Sequence, residues 1–437
     1  MNQHDIRNVP FEEILYSIAL DAACEPDRRL PDSNPGHADA PWAWHGQTNP
    51  DHPILHRTSQ HTRRTRMKQN MTDNAIILSR LFQAGGIRLD RGAIFDYALS
   101  PKGPGFDFER VEGMLLGAAI GDSLGNTSES KLPLARMRLH GEIRDYLISD
   151  RTGIAKGYPS DDTQLTFWTL EQLIEDGGSL APERLARRFA ESGTIYGIGR
   201  TMKEFLRAFK SGRPWHECGP HSAGNGALMR IAPMLVPHLR HGGTAIWTDT
   251  ALSAMMTHND QGSTSSCLAF TAMLWELLDM TAPPEPAWWP LRYAQLAADL
   301  QGDIGYAPRG GCLRNVFNGT LSDFVLDKME WARSENLSTF EACDTWLSGA
   351  YLLETVPSVL YILMRHAHDP EEANVRAVND TKDNDTIASI VGAAVGALHG
   401  RQGLPARWVA GLTGRTMASD EEKVFSLIEG ARKKFWR

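Results

Sequence analysis

The amino-acid sequence predicts an all-α protein with a partly irregular N-terminal extension. After about residue 106, apolar residues recur at helical spacing in many segments, and strand-like alternation is scarce. Short turns rich in Asp, Ser, Thr and Asn precede some of these segments, as is typical of helix N-termini. One such turn, Asp383–Thr386, opens the longest small or apolar run of the chain, which continues to Leu398.

The composition of the 437 residues is that of an ordinary globular protein, with 42% hydrophobic and 22% charged residues. This length predicts one large domain with an appendage, or two domains. A formal net charge of −8 argues against general affinity for nucleic acid. The chain opens on a polar stretch, and its longest apolar run is shorter than the ~20 residues that span a bilayer. A cytoplasmic protein without membrane contact is expected.

Residues 1–105 differ from the rest and are predicted to form the extension, which leaves 106–437 as the main domain. Within the extension, Pro26–Pro53 has no helical or strand period, and it carries Trp42 and Trp44 among polar residues. The segment His56–Lys68 follows with five cationic side chains and no acid. Two interpretations are open for this basic segment: a solvated stretch, or an electrostatic docking strip for an acidic partner.

The sequence predicts helices along most of its length after Asn74. The predicted ranges are Asn74–Phe82, Ala93–Leu99, Glu109–Leu124, Gln164–Leu173, Pro182–Glu191, Met202–Phe209, Thr244–Met256, Ser263–Leu278, Ala287–Leu300, Thr339–Leu353, Val356–His366 and Asp420–Lys434. The third of these helices carries Gly113, Gly117 and Gly121, and Gly125 comes next at the same spacing. Such a smooth face permits close approach of another backbone, and we expect this packing for the first two glycines.

Four polar groups stand out against this helical background. They are Gly121–Gly125 with Glu129, Ser160–Thr163, Gly224–Gly226 and Asp383–Thr386. Taken alone, each Asp-rich turn is more often a helix cap than a metal site. Taken together, the second and fourth groups offer four carboxylates with hydroxyls, which would repel one another at close range unless cations neutralise them.

In chain order, the polar groups resemble the motifs of the ADP-ribosylglycohydrolase family. The motifs are G-D-S-L-G with Glu129, S-D-D-T, G-N-G-A-L-M-R-I-A-P, T-H-N-D and D-N-D-T-I-A-S-I-V-G-A. The resemblance extends from roughly Phe106 to the C-terminus, about three quarters of the chain. The resemblance implies a compact multi-helix bundle around a dinuclear site for two Mg²⁺ ions, with Mn²⁺ as the alternative. It also implies a hydrolase that removes ADP-ribose from ADP-ribosylated protein side chains, with arginine as the favoured acceptor.

The same resemblance implies roles for individual residues. The metal ligands would be Ser160, Asp161, Asp162, Asp383, Asp385 and Thr386. The catalytic residues would be Glu129, Asp161, Asp162 and Asp385, and Glu129 would act either as general base or as a gate over the substrate. The substrate would be bound by His221, Ser222, Gly224, Asn225, Gly226, His258, Gly197 and Gly199.

Two of the motifs depart from the family pattern. Ser160 stands where the family usually has threonine, and the hydroxyl needed for ligation remains. Thr381 and Lys382 stand where two glycines are usual. The cation of Lys382 beside a metal site could weaken Mg²⁺ binding or help to bind phosphate, and both effects are open.

The extension resembles, in architecture only, the one found on immunity-type hydrolases that are paired with ADP-ribosylating toxins. The motif resemblance implies an ADP-ribosylated protein as the substrate. The extension implies an ADP-ribosyltransferase toxin as a second partner, contacted and blocked by the extension. The alternative function is a non-catalytic binder and inhibitor of an ADP-ribosyltransferase. Neither nucleic acid nor a membrane is expected as a partner.

Overall fold

Helices dominate the computed structural model, which describes residues 72–150, 152–311 and 313–436. Its sixteen α-helices are α1 Asp73–Ala84, α2 Glu109–Asn126, α3 Pro133–His140, α4 Asp161–Glu175, α5 Pro182–Glu191, α6 Arg200–Lys210, α7 Ala245–Thr257, α8 Gln261–Leu277, α9 Trp288–Gln301, α10 Leu321–Ser334, α11 Thr339–Thr345, α12 Leu352–His366, α13 Pro370–Asp380, α14 Asn384–His399, α15 Ala406–Gly411 and α16 Lys423–Ala431. Pairing of β type in this part of the chain is limited to isolated bridges. The predicted all-α fold is confirmed. None of the described helices has both the length and the apolar character needed to cross a bilayer.

Most of the predicted extension, including Trp42, Trp44 and the basic segment His56–Lys68, lies outside the described residues. Its last part, residues 72–105, belongs to the same compact unit as the rest of the described chain. The side-chain amide of Asn74 in α1, for example, donates to Oδ1 of Asp249 in α7 at 2.7 Å. The division at residue 105 stays a prediction.

The centre of the fold is an antiparallel pair of buried helices, α2 and α14. The facing pairs are Gly113 with Gly396, Gly117 with Gly392, Gly121 with Ala388 and Gly125 with Asp385. A Cβ atom on Gly117 would lie 2.1 Å from the carbonyl oxygen of Gly392, so the two backbones are in direct contact. All four glycines of the repeat pack in this way, rather than the first two alone. The register places the C-terminal end of α2 beside the N-terminal turn of α14.

Three predicted helices are shorter than expected. One of them, Asp420–Lys434, is α-helical only over Lys423–Ala431. The predicted helix Thr339–Leu353 ends at Thr345, because Leu347 and Ser348 adopt left-handed backbone conformations with φ of 74° and 40°. The backbone oxygen of Ser348 accepts hydrogen bonds from the backbone N–H groups of Lys382 and Asp383, at 3.2 and 2.9 Å. This interruption therefore supports the turn that leads into α14. The predicted helix Ala93–Leu99 is a short 3₁₀ turn over Ala93–Asp96.

Candidate active site

The start of α4 is fixed by Asp122, which lies near the end of α2. The Asp122 carboxylate accepts hydrogen bonds from the backbone N–H groups of Ser160 and Thr163, both at 3.0 Å, and from the Thr163 hydroxyl. Ser160 occupies the N-cap position, where its hydroxyl accepts from the backbone N–H of Asp162 at 3.2 Å. The turn therefore caps its helix and at the same time presents Asp161 and Asp162.

The start of α14 is built differently. Asp383 occupies the N-cap position, but its side chain makes no capping hydrogen bond. Its Oδ2 atom accepts instead from the side-chain amide of Asn225 at 2.6 Å. Oδ1 of Asp385 accepts from the backbone N–H of Thr386 at 2.9 Å. Helix capping therefore explains part of the hydrogen bonding of the Asp385 side chain, but it does not explain that of the Asp383 side chain.

The two helix starts meet in space. The hydroxyl of Thr386 donates to Oδ2 of Asp162 at 3.1 Å, which joins α14 to α4. Carboxylate oxygens of Asp122, Asp162 and Asp385 lie within 4.8 Å of one another, and so do those of Glu129, Asp383 and Asp385. The two groups share Asp385. Carboxylate and hydroxyl oxygens in this number are the ligands that hard divalent cations prefer.

One buried atom tests whether a cation fits. Within the described chain, Oδ1 of Asp162 has no hydrogen-bond partner, although the residue is only 1% exposed. A buried carboxylate oxygen without a partner is costly unless a cation or a proton accompanies it. The set of carboxylate and hydroxyl ligands and the unpaired Oδ1 atom of Asp162 therefore fit a divalent metal ion.

The electrostatics of the cluster agree with this fit. Burial is the first cause that raises the pKa of the carboxyl groups at the two helix starts and of Glu129, to about 8 for Asp161, about 7 for Glu129 and about 6 for Asp383. The pKa values of Asp162 and Asp385 are raised well above the usual range by burial and by the charges of neighbouring carboxylates. Without a cation, the cluster holds its negative charge poorly near neutral pH.

We expect these raised pKa values to make the stability of the metal-free protein depend on pH. An unfolded carboxyl titrates near pH 4. The stabilising contribution is therefore complete below that pH and is lost as the pH rises through the folded-state values, about 6 to 8 for Asp383, Glu129 and Asp161. Other titrating groups also change over this range, so the comparison of interest is the gain in melting temperature on adding Mg²⁺. Calorimetry in EDTA and in Mg²⁺ should give a larger gain at about pH 8 than at about pH 5. A gain that does not change with pH would contradict the expectation.

Four carboxylates of the site, Glu129, Asp161, Asp383 and Asp385, line an open pocket of about 650 Å³. The predicted site residues that line it are Glu129, Asp161, Gly197, Gly199, His221, Ser222, Gly224, Asn225, Gly226, His258, Asp383, Asp385 and Thr386. Ser160 and Asp162 are buried, each 1% exposed, and do not line the pocket. The structure thus brings together residues that the sequence spreads from position 129 to position 386.

The glycine-containing loop of the pocket lies against His258. A Cβ atom on Gly226 would come within 2.9 Å of the imidazole Cε1, which explains why a residue without a side chain suits this position. The ring is 4% exposed, and burial together with the charge of Arg230 lowers its pKa to about 3. His258 is therefore neutral, and it supports the loop as a buried side chain.

A second glycine turn approaches the acids. Gly197 has a φ of 70°, and a Cβ atom there would lie 3.3 Å from Oδ1 of Asp161 and 3.9 Å from Oε2 of Glu129. Glu129 is exposed as a whole residue, yet burial of its carboxylate is the first cause that raises its pKa, followed by the charges of Asp383 and Asp122. The turn therefore narrows the space around these two carboxylates.

Lys382, the departure from the family pattern, lies on the surface and is not one of the pocket residues. Its backbone N–H donates to the hydroxyl of Ser348 at 3.1 Å. Burial raises the pKa of Asp383, and hydrogen bonding to Asn225 together with the charges of Arg309 and Lys382 partly offsets this rise. The lysine therefore favours the ionised form of its neighbour.

Asp122, Arg309 and Tyr351 are among the residues of the site that were not predicted as site residues from the sequence. Asp122 stands inside the G-D-S-L-G motif, which was the available signal. Arg309 and Tyr351 line the pocket from segments outside the recognised motifs. For these two residues, we identify no signal in the sequence.

Together, the fold and the site define an all-α protein whose pocket is lined by a carboxylate cluster of metal-binding type. The sequence model of the ADP-ribosylglycohydrolase family matches residues 105–434, and the chain belongs to this family. The predicted family and the predicted enzyme class, an ADP-ribosylglycohydrolase, are confirmed.

Relatives of the chain agree with this assignment. ADP-ribosylarginine hydrolase Tri1 of Pseudomonas putida is 24% identical over 69% of this chain and 73% of its own length. The ADP-ribosyl-[dinitrogen reductase] glycohydrolase of Rhodospirillum rubrum is 24% identical over 73% of this chain and 96% of its own length. A solved ADP-ribosylglycohydrolase-related protein complex matches with a TM-score of 0.55 and 23% identity, covering 75% of this chain and 98% of that one. The structural likeness supports the fold.

Proposed function

We propose that this protein is a Mg²⁺-dependent hydrolase that releases ADP-ribose from ADP-ribosylated arginine side chains of proteins. The observation that carries the proposal is the meeting of the α4 and α14 starts, where Thr386 bonds Asp162 and leaves Oδ1 of that aspartate free. The Pseudomonas putida relative, named as an ADP-ribosylarginine hydrolase, supports arginine as the acceptor.

The residues at the two helix starts suit two Mg²⁺ ions, with Mn²⁺ as the alternative. The proposed ligands are Ser160, Asp161, Asp162, Asp383, Asp385 and Thr386. Of these, Asp162, Asp383 and Asp385 belong to the two groups of closely spaced carboxylates. When bound, such ions supply electrostatic stabilisation and anchor substrate hydroxyls.

The chain's own groups account for the other requirements of the reaction. Water attacks the anomeric carbon of the ribose and gives up its proton to a carboxylate, while the bond from that carbon to the guanidinium nitrogen breaks. The arginine leaves as a neutral guanidine, which then takes up a proton from solvent. Glu129 lines the pocket and has a pKa raised to about 7, mainly by burial, so it suits a general base at neutral pH. Developing positive charge on the ribose is stabilised by the surrounding carboxylates.

Substrate positioning is assigned to the loop 221–226. The side-chain amide of Asn225 donates to both Asp383, at 2.6 Å, and the Thr355 hydroxyl, at 3.0 Å. The loop is therefore tied directly to a proposed metal ligand. A displacement of the loop would move the ligand as well, which couples the binding of ADP-ribose to the geometry of the acids.

The experiment that tests the proposal measures ADP-ribose released from arginine-modified and from serine-modified protein, each with Mg²⁺ and with EDTA. Release from the arginine-modified protein in Mg²⁺ alone is the expected result. Full release in EDTA would refute the metal dependence. Release from serine-modified protein only would refute the proposed acceptor.

For residues 1–71 we propose a second role, binding to an ADP-ribosyltransferase toxin as an immunity function. This role is supported only by the sequence, through Trp42, Trp44 and the basic segment His56–Lys68. Deletion of residues 1–71 is expected to abolish toxin binding and to leave ADP-ribose release unchanged. The full chain with Asp162→Asn serves as the control and should bind the toxin as well as the wild type does. Toxin binding by the truncated chain in a pull-down would refute this role.

A further inference from the structure

We propose that Arg309 recognises the diphosphate of the substrate, and that Tyr351 and Glu354 hold its guanidinium in place for this purpose. The inference deepens the proposed function and rests on it, because ADP-ribose is the ligand that would supply the diphosphate. It adds a specificity-determining residue from the segment between α9 and α10.

The guanidinium of Arg309 is held from two sides. Its Nε and Nη2 atoms donate to Oε1 and Oε2 of Glu354 at 2.9 and 2.8 Å, and Glu354 is only 4% exposed. Its Cζ atom lies 4.7 Å from the ring centroid of Tyr351. A two-point ion pair combined with stacking on an aromatic ring leaves an arginine little freedom, so its orientation is set before any ligand arrives.

The same contacts place Arg309 beside the glycine-containing loop. Tyr351 forms an antiparallel backbone bridge with Gly224, in which the Asn225 N–H donates to the Ala350 oxygen at 3.0 Å. Glu354 follows in the first turn of α12, with its N–H bonded to the Tyr351 oxygen at 2.8 Å. Arg309 and Tyr351 both line the pocket.

Part of the guanidinium remains available to a ligand. The bonds to Glu354 use Nε and Nη2, and no hydrogen bond from Nη1 is found in the described part of the chain. The side chain is 57% exposed. A planar fork with one free edge is the geometry that suits a phosphate oxygen.

The negative charge of the pocket explains why a cationic side chain is needed to bind a diphosphate. The other charged residues of the pocket are mainly carboxylates, which repel a dianionic ligand. The only other arginine that lines the described pocket is Arg200, whose side chain is 90% exposed and 3.8 Å from Glu204. Arg200 would have to be ordered on binding, whereas Arg309 is already ordered, so Arg309 is the better suited of the two.

The test measures the affinity for ADP-ribose by calorimetry in Mg²⁺, at low and at high salt. Arg309→Gln should weaken binding about ten- to hundredfold at low salt, as expected for lost charge-assisted hydrogen bonds, and less at high salt. The affinity of Arg309→Lys for ADP-ribose should lie between that of the wild type and that of Arg309→Gln. The matched control Arg200→Gln should stay within about threefold of the wild type, as for an exposed, loosely held charge. Equal losses for Arg309→Gln and Arg200→Gln, or a loss that does not depend on salt, would overturn the inference.

Arg309→Gln leaves the buried carboxylate of Glu354 without its ion-pair partner. A second variant controls for this effect. The double variant Arg309→Gln with Glu354→Gln replaces the ion pair by two amides that can still bond each other, and its melting curve reports whether the fold is kept. It should show the same loss of affinity as the single variant. Wild-type affinity in the double variant would overturn the inference. A wild-type protein that binds no ADP-ribose would overturn both this inference and the proposed function, whereas one that binds it without releasing it from modified protein would overturn the proposed function alone.

Discussion

Asp162→Asn is expected to lower the rate of ADP-ribose release by about a thousandfold or more, with the fold intact. Asp162 joins the two helix starts: it lies in α4, its Oδ2 accepts from Thr386 of α14, and its Oδ1 is left free. Loss of a metal-ligating carboxylate removes several kcal/mol of charge stabilisation, which corresponds to at least about three orders of magnitude in rate. The measurement is the release of ADP-ribose from arginine-modified protein at saturating Mg²⁺.

The stability of the same variant separates a lost ligand from a damaged fold. Burial and neighbouring carboxylates raise the pKa of Asp162 well above its usual range, so a neutral amide relieves repulsion in the metal-free state. Asp162→Asn should therefore melt no lower than the wild type in EDTA and should gain less from Mg²⁺. Asp73→Asn, which removes an exposed charge from the first turn of α1, is the control and should behave as the wild type. Full activity of Asp162→Asn would contradict the assigned role.

Gly117→Ala is expected to lower the free energy of unfolding by about 3 kcal/mol or more. The new Cβ atom would lie 2.1 Å from the Gly392 oxygen, and this oxygen belongs to a backbone that cannot rotate away as a side chain could. The central helices would have to separate, which is the overpacking cost of a tight core. The gain of about 1 kcal/mol in helix propensity from glycine to alanine is too small to offset it. Denaturant unfolding measures the difference.

The matched control is Gly103→Ala, because a Cβ atom on Gly103 would meet nothing within 4 Å. This variant should stay within about 0.5 kcal/mol of the wild type, as most surface substitutions do. If Gly117→Ala were as stable as Gly103→Ala, the direct backbone contact between α2 and α14 would be wrong.

The sequence revealed the parts of the site that lie at helix starts. Acidic turns such as Asp383–Thr386 can be recognised in the sequence, because helix capping and metal ligation both use short polar side chains that are contiguous in the chain. The role of Asp122 cannot be recognised from its neighbours in the sequence, because its hydrogen-bond partners Ser160 and Thr163 belong to the start of another helix. Arg309 is further removed, because its role depends on an ion pair and a ring that only the folded chain brings together.

The fold was predictable to a similar extent. The periodicity located the long buried helices, whereas the charge-rich α13 and the short α3 and α15 were not predicted. In α10 the spacing of Leu321, Phe324 and Val325 is helical, and all three are buried, so this helix could have been found from the sequence. The end of the helix at Thr345 could not have been predicted from the sequence, because the left-handed turn that follows it depends on contacts with the start of α14.

The central claim is that the starts of α4 and α14 together form a divalent metal centre. Anomalous diffraction from crystals grown with Mn²⁺ tests it most directly, because the signal locates the ion without reference to activity. Peaks within ligand distance of the Asp162 and Asp385 carboxylates are expected in the wild type, with weakened or absent peaks in Asp162→Asn. A wild-type map without a peak at these carboxylates, or with Mn²⁺ bound only elsewhere, would contradict the account.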